Sequence, residues 1–490
     1  MRQLLLFFLA GLLLIQYLVM ESGCATIIPP EGGPRDSLPP VVVNVTPRDS
    51  TLQFKGNTIT FTFDEYVDAD NYQQEMIISP IPANMPNVNR KLRTVTVKLR
   101  DTLQPNTTYS IDFGKTIKDV NEGNIKTGFT YIFSTGNYFD SLEFSGNVIL
   151  AETGGIDSTL TVMLHPTGID SALIKEKPRY VAKLDSSGRF RFRNLPPDTF
   201  YVYALKDEGR SYRYLNPTML FAFADSAIVV SDSTPSLTLY AYSIKEPEKP
   251  ASTSTATGRT RAQDKRLKYT TNLVGNEQDL LRKFIFTFEV PIKDFDPEKI
   301  RLTRDSAYQP VTGYTFDFDS TRKKLTMDYA WQEGVQHHLI MEKDFATDTL
   351  GQQLLKGDTL SFRTRTSRDY GRLTLNFRNL NLEDNPVLQF VQGAEIVQSY
   401  PLTSNSFTSN LFPPGEFSLR ILNDRNENGV WDPGEFFGKR IQPERVRPIF
   451  RPINIRAGAD NRFDIDVTAP PSNQPAGRGQ QFPTLPGRRD

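Results

Sequence analysis

The sequence predicts an all-β protein: tandem β-sandwich domains in an A-B-A′-B′ duplication. Three observations predict it. Apolar residues alternate with polar ones in short runs, as in Ile59, Phe61, Phe63 and again Val95, Val97, Leu99, the period-two signature of half-buried strands. Two different stretches each recur later in the chain, in alternating order. With 490 residues the chain exceeds what one core can organise and should hold about three to five domains.

The elements follow in order. Residues Leu4 to Met20 are apolar except for Gln16 and Tyr17, follow Arg2, and end at Glu21-Ser22-Gly23-Cys24. Such a run is about 25 Å long as a helix, marginal for a permanent span, and it has the charged start and small-residue exit of a secretory leader. The run therefore reads as a signal peptide, and with Cys24 at its exit it resembles a bacterial lipoprotein signal; we assign 1–23 as that lipoprotein signal peptide and 24–39 as a Pro/Gly tether. An uncleaved anchor and a soluble export signal are the competing readings. Domain A is placed at 40–137, B at 138–245, A′ at 266–367 and B′ at 368–468. Further alternating runs at Tyr109, Ile111, Phe113 and at Phe129, Tyr131, Phe133 complete A, and no amphipathic helix of useful length is expected. Phe61-Thr-Phe-Asp-Glu-Tyr-Val67 is echoed by Phe286-Thr-Phe-Glu-Val-Pro-Ile292, and Phe129 to Gly136 more loosely by Thr359 to Thr366. Asn194-Leu-Pro-Pro-Asp-Thr-Phe200 is echoed by Asn410-Leu-Phe-Pro-Pro-Gly-Glu-Phe417, each running through a strand to Asp207 or Asp424. Residues 246–265 lack apolar periodicity and read as a linker, and 469–490 read as a disordered tail.

Several of these stretches carry a resemblance. Ser22-Gly-Cys-Ala25, the Pro-rich Pro29 to Pro40, Phe63-Asp-Glu-Tyr-Val67, Leu103 to Gly114 and Tyr131-Ile-Phe-Ser-Thr-Gly136 resemble the Ig-like-domain lipoproteins of the Bacteroidota. The first domain is similar to the SbsA-type bacterial Ig-like fold. The B units resemble carboxypeptidase-regulatory-like or transthyretin-like β-sandwiches. The resemblance implies acylation of Cys24, with palmitate-type chains, and an outer-membrane address; multiple acyl chains hold a protein on a bilayer stably where one does not. Ala25-Thr26-Ile27-Ile28 after the cysteine leans toward the periplasmic face rather than the cell surface. Glu21 departs from the aliphatic residue usual three positions before the cysteine. In A′ the Pro-Asn-Thr-Thr-Tyr stretch is replaced by Trp331-Gln-Glu-Gly-Val-Gln-His337. The family implies no catalytic residues.

The sharpest local motif is Asp424-Arg-Asn426-Glu-Asn428-Gly429-Val430-Trp-Asp432-Pro-Gly-Glu435. Its spacing is that of a twelve-residue calcium loop: side-chain oxygens from Asp424, Asn426 and Asn428, the Val430 carbonyl, Asp432, and a closing Glu435. A hard cation needs six or more oxygens, which makes Ca²⁺ the expected cofactor. The preceding residues form a strand rather than an EF-hand helix, so an Asx-rich hairpin that hydrogen-bonds its own turn is the alternative. The matching loop in B, Lys206 to Ser211, has too few oxygens.

Asp-Ser or Asp-Thr followed by an aliphatic residue, Met or Thr occurs at Ser37, Ser50, Thr102, Ser141, Ser158, Ser171, Ser226, Ser233, Ser306, Ser320, Thr349 and Thr359, twelve sites against roughly two expected by chance. The triplet resembles the O-glycosylation sequon of exported Bacteroidota proteins. Its alternative is that Asp-Ser starts turns well.

Composition excludes other classes. Lys+Arg and Asp+Glu both total 57, so no electrostatic footprint of nucleic-acid binding exists. One cysteine excludes an intrachain disulfide framework and Cys-rich metal centres. His165, His337 and His338 are the only histidines and show no zinc-ligand spacing; adjacent His337 and His338 point to opposite faces of a strand, and Asp64 and Glu65 are read likewise. No nucleophile elbow, Walker loop or dinucleotide fingerprint occurs. The expectation is a non-enzymatic, outer-membrane-anchored lipoprotein acting as an interaction scaffold or spacer. Its partners would be the bilayer, through Cys24, and an envelope protein. An accessory subunit of an outer-membrane assembly, secretion or uptake machine and a glycan-binding surface lipoprotein are the alternatives.

Overall fold

The computed structural model describes residues 35–244 and 266–469. The signal peptide, Cys24, most of the tether, the linker and the tail lie outside the described residues. Strands dominate, and the α-helices among the described residues are two short ones, Tyr72–Glu75 and Asp170–Lys175.

The first module packs two antiparallel sheets. One orders Val42–Thr46, Thr58–Phe63, Thr94–Lys98 and Asn87–Lys91; the other orders Ile77–Ser79, Thr108–Asp112 and Thr130–Ser134. Alternation is why they pair: in Thr58–Phe63, Ile59, Phe61 and Phe63 are buried while the threonines between them are not. Phe61 meets Phe113 and Tyr131 edge-on at 5.1 and 5.3 Å. Each such buried side chain contributes about 1.5–3 kcal/mol from burial, and the ring geometry adds to it.

Residues 267–362 build the second copy of this architecture around Phe284, Phe286, Phe288, Leu325 and Leu339. The correspondence extends to the turns. Val67 N–H donates to the Leu92 carbonyl and Ile292 N–H to that of Arg322; Val120 N–H donates to the Tyr66 carbonyl and Thr349 N–H to that of Pro291. Asp119 and Asp348, both buried, take up the N–H groups of the turns that follow them.

The other two modules share a second architecture. In each, a central strand has one antiparallel and one parallel neighbour: Leu142–Leu150 between Arg189–Leu195 and Leu237–Ala241, and Gly371–Arg378 between Ser406–Phe412 and Asp460–Asp466. The facing sheets are built on Thr199–Leu205 and Gly415–Asn423. The structure is therefore an all-β chain of tandem β-sandwiches with an internal duplication.

One local expectation is corrected. Asp64 and Glu65 sit in a bend after Thr58–Phe63 rather than on a strand. Glu65 titrates above the usual carboxylate range because of partial burial and the nearby Asp119, Asp64, Asp36 and Glu122 carboxylates.

Candidate functional site

The loop singled out by its oxygen spacing lies where the two B-type modules meet. It leaves the strand Gly415–Asn423 at Asp424 and returns at Arg445. Asp424 is almost fully buried and accepts the N–H groups of Asn428 at 3.2 Å and Gly429 at 2.6 Å. Asn426 and Asn428 both donate side-chain amides to Asp432 Oδ2, at 2.7 and 2.8 Å, and Val430 N–H donates to Asn428 Oδ1 at 2.7 Å. Gly429 turns the loop at a φ of 78°, a conformation glycine adopts at little cost.

The closing acid differs from the expectation. Glu435, the twelfth residue, pairs with Lys439 at 3.0 Å, and its backbone exchanges hydrogen bonds with Ile441. Glu444 holds the loop instead. It is 4% exposed and accepts Arg425 N–H at 2.7 Å and Asp432 N–H at 3.0 Å, while its carbonyl accepts the Trp431 indole N–H at 2.8 Å. Burial, with Asp424 and Asp432 nearby, pushes its carboxyl above the usual range. Sequence spacing missed Glu444 because it lies nine positions beyond the twelve-residue window. Among the described residues, no group of three or more His, Cys, Asp or Glu is arranged to hold a metal ion.

Past the loop, residues 436–445 grip module B. Phe436 is buried against Tyr203, Phe221 and Phe223, with centroids 5.7, 5.2 and 5.1 Å away, and Phe437 stacks on Tyr214 at 5.7 Å. Arg440 donates to the Gly168 carbonyl at 2.8 Å and pairs with Asp170 at 2.5 Å. Gln442 donates to the Phe223 carbonyl and to Asp225, at 3.0 and 2.7 Å. Arg445 lies over the Tyr240 ring at 4.3 Å. Val446 N–H donates to the Ala151 carbonyl at 2.8 Å, and Arg420 reaches the Glu152 carbonyl at 3.4 Å. The contact leaves no room for added atoms: a Cβ on Gly434 would stand 2.8 Å from the Tyr242 ring, and one on Gly154 2.2 Å from Pro448. The motif Phe436-Phe437 after a polar loop was the one available signal of this surface, and it has no periodicity to read.

His165 is buried on the same strand as Met163 and meets the Tyr203 ring edge-on at 5.6 Å. Neither ring nitrogen has a hydrogen-bond partner. Burial lowers its pKa to about 4, so it is neutral at pH 7. The histidines are not brought together: His337 is buried against Trp331 and Phe362, and His338, on the opposite face, is 2.8 Å from the Ser361 hydroxyl. All twelve candidate glycosylation residues are exposed, half of them in turns.

Module B grips A through its own loop and through the strand Tyr180–Lys183. Arg210 donates to the carbonyls of Gln73 at 2.5 Å and Met76 at 3.3 Å, Lys183 pairs with Glu75 at 2.8 Å, and Ile81 N–H donates to the Arg179 carbonyl at 2.8 Å. A cleft of about 1230 Å³ runs along this junction, with Glu75, Lys115, Lys183 and Arg191 among its lining. A′ and B′ are joined by Tyr370, which donates to Asp279 at 2.8 Å and accepts Leu280 N–H at 2.7 Å.

These features define a chain of docked sandwiches, and comparison identifies one of them. Residues 36–135 match the family model of the bacterial Ig-like domain. The match covers the first module, which is thus similar to a bacterial Ig-like domain. No curated protein matches the sequence. Among solved structures, the Bacillus anthracis TIE protein is 11% identical, covering 89% of this chain and 76% of that one with a TM-score of 0.17. The major pilin subunit BcpA of Bacillus cereus is 8% identical over 66% of this chain and 99% of its own, at a TM-score of 0.16. The N-terminal part of the bacterial S-layer protein SbsC is 16% identical, covering 43% of this chain and 45% of its own, also at 0.16. At such TM-scores these likenesses carry no functional argument.

Proposed function

We propose that this chain is a lipoprotein held in the outer membrane through acylated Cys24, with its modules in the periplasm. In this reading it works as a non-enzymatic scaffold that presents fixed surfaces to envelope partners. The observation that supports it best is the contact between the two B modules: the ring cluster around Phe436 and the Arg440–Asp170 pair hold B′ against B although the modules are separated in sequence by A′. A frame closed in this way suits holding partners in register better than it suits spanning distance. The bacterial Ig-like match in the first module supports the same class.

Two measurements test the proposal. Mass spectrometry of the envelope protein should give a mature chain starting at an acylated Cys24; an unmodified start removes the anchor. Small-angle scattering of the soluble chain should give the radius of a folded-back molecule; an extended string of four modules removes the frame. A frame of fixed shape also supports the reading of an accessory subunit in an outer-membrane machine. That reading predicts a stoichiometric barrel partner after mild detergent extraction. Calcium in the Asp424–Asp432 loop stays a proposal, and it now requires Glu435 to leave Lys439 or Glu444 to supply the closing carboxylate. O-glycans on the exposed Asp-Ser and Asp-Thr sites are proposed likewise, and glycopeptide mapping decides them.

A further inference from the structure

The far end of the first Ig-like domain has a surface that the scaffold reading leaves without a role. Four segments meet there and are tied to one another by hydrogen bonds. Val41 N–H donates to Asp64 Oδ1 and Asp64 N–H to the Val41 carbonyl; Val67 N–H donates to the Leu92 carbonyl, and Val120 N–H to that of Tyr66. Arg35 donates to the Glu122 carbonyl and Asn124 to that of Asp36. The strand registers place this end opposite the one that leads to module B: Val42 pairs with Phe63 and Lys91 with Thr94, while Thr108 pairs with Ser134 at the exit. Large apolar side chains stand out into solvent on it. Leu38 is 70% exposed, Leu92 66%, Val41 55% and Val120 54%, and Tyr66 lies half-exposed beneath Arg93.

The duplicate domain shows that the fold does not require them. Its turns keep the same two hydrogen bonds, yet Leu92, Tyr66 and Val120 are replaced by Arg322, Pro291 and Thr349. Leu92 and Arg322 even share the left-handed backbone, at φ of 57° and 53°, a conformation that gives leucine no advantage. At these three positions the apolar tips therefore belong to the module next to the N-terminus and not to the architecture; the A′ turn exposes one apolar residue of its own, Leu350, beside Thr349. Charge on this end is close to balanced, with Asp36, Asp64, Glu65 and Glu122 facing Arg35, Lys91, Arg93 and Lys118, so attraction to an anionic surface does not explain it.

We propose that this end of the first domain rests on the bilayer, with Leu38, Leu92 and Val120 inserted at the headgroup level and Tyr66 at the interface. The proposal rests on the lipid-anchor reading. Arg35 lies eleven residues from Cys24, and fully extended chain spans at most about 3.3–3.6 Å per residue, so the entry point stays within roughly 40 Å of the acyl chains. A tether this short makes the contact intramolecular, and a patch too weak to bind vesicles from solution is then occupied. Apolar tips and an aromatic residue on a surface of little net charge fit a zwitterionic interface.

The experiment uses the full acylated chain in phosphatidylethanolamine/phosphatidylcholine vesicles, with Leu92→Trp and Arg322→Trp compared against the parent. The emission added at position 92 should shift to the blue and be quenched by brominated acyl chains, while that added at position 322 should do neither. Leu38→Glu introduced with Leu92→Trp should abolish the shift. Equal, water-like behaviour at 92 and 322 overturns the proposal, as does a blue shift at 92 that brominated lipid does not quench, the mark of a protein partner. Flotation and intact mass report the anchor separately. Where the chain proves unacylated, coupling its Cys24 thiol to a maleimide lipid repeats the same comparison, so failure of the anchor and failure of the surface give different results.

Discussion

The loops that follow Asp207 and Asp424 leave equivalent strands of the two B modules, yet they hold different neighbours by different means. The shorter one is knotted around Asp207, which accepts Gly209 N–H at 3.1 Å and Tyr212 N–H at 2.5 Å, and it reaches A through the Arg210 hydrogen bonds. The longer one is organised by Asp424, Asp432 and Glu444 and adds a buried aromatic ring and an ion pair. An Asp at the strand exit, accepting the first turn's N–H groups, is a root on which loops of any length can be built. Length then decides what the graft adds: the short loop adds the Arg210 hydrogen bonds beside a partly buried apolar contact of Ile77 and Ile81, and the long loop adds the fully buried Phe436 ring.

The largest effect expected of breaking this contrast comes from Phe436→Ala, which removes a buried ring at about 3–5 kcal/mol. Scattering should show B′ released from B, and protease should cut the 246–265 segment faster. Arg210→Ala removes hydrogen bonds from a charged donor to backbone, about 1.5–3 kcal/mol, and should loosen A from B less; the reverse order would refute the distinction. Gly434→Ala, which collides with Tyr242, should reproduce the Phe436 phenotype in a chain that keeps every ring.

His165 gives the next effect. Its folded pKa of about 4 lies below the unfolded value near 6.5. Between these values the unfolded chain binds the extra proton, so stability is full above pH 6.5 and is lost as pH falls toward 4. The linkage amounts to about 3 kcal/mol. Urea unfolding across that window should show the loss, and His165→Phe should flatten it; an unchanged slope would place the titrating group elsewhere.

Smaller still is the Arg440–Asp170 pair, whose side chains are 36% and 39% exposed. A double-mutant cycle with Arg440→Ala and Asp170→Ala should return a coupling of about 0.2–1 kcal/mol; a null coupling would leave the clamp to the aromatic contacts and the hydrogen bonds of Gln442, Val446 and Arg420. The smallest change expected without added metal is that of Glu435→Gln, within about 1 kcal/mol for an exposed ion pair. With calcium, melting of the parent should rise with concentration by mass action, and Asp424→Asn should cancel the rise. No rise in the parent ends the calcium proposal.

Much of the fold was legible because strands announce themselves locally. Ile59, Phe61 and Phe63 alternate with threonines, so their common face follows from backbone geometry. The recurrence of Phe61 to Val67 at Phe286 to Ile292 made the duplication visible. The loop's oxygens were legible for the same reason, being close in sequence. Glu444 was not, since its role depends on where a returning strand places it, and Asp64 and Glu65 were read as strand because alternation does not mark where pairing stops.

The sequence by itself determined the modules: which residues form strands, which face of each is buried, and that two architectures alternate. Each of those decisions rests on interactions within a few residues or within one hydrophobic face. Only the tertiary structure decided how the modules hold one another. Arg440 meets Asp170 across 270 positions, and no local pattern encodes such a pair. The complementarity of Phe436 to the Tyr203–Phe221–Phe223 face exists only once both sandwiches have folded and their surfaces can be matched.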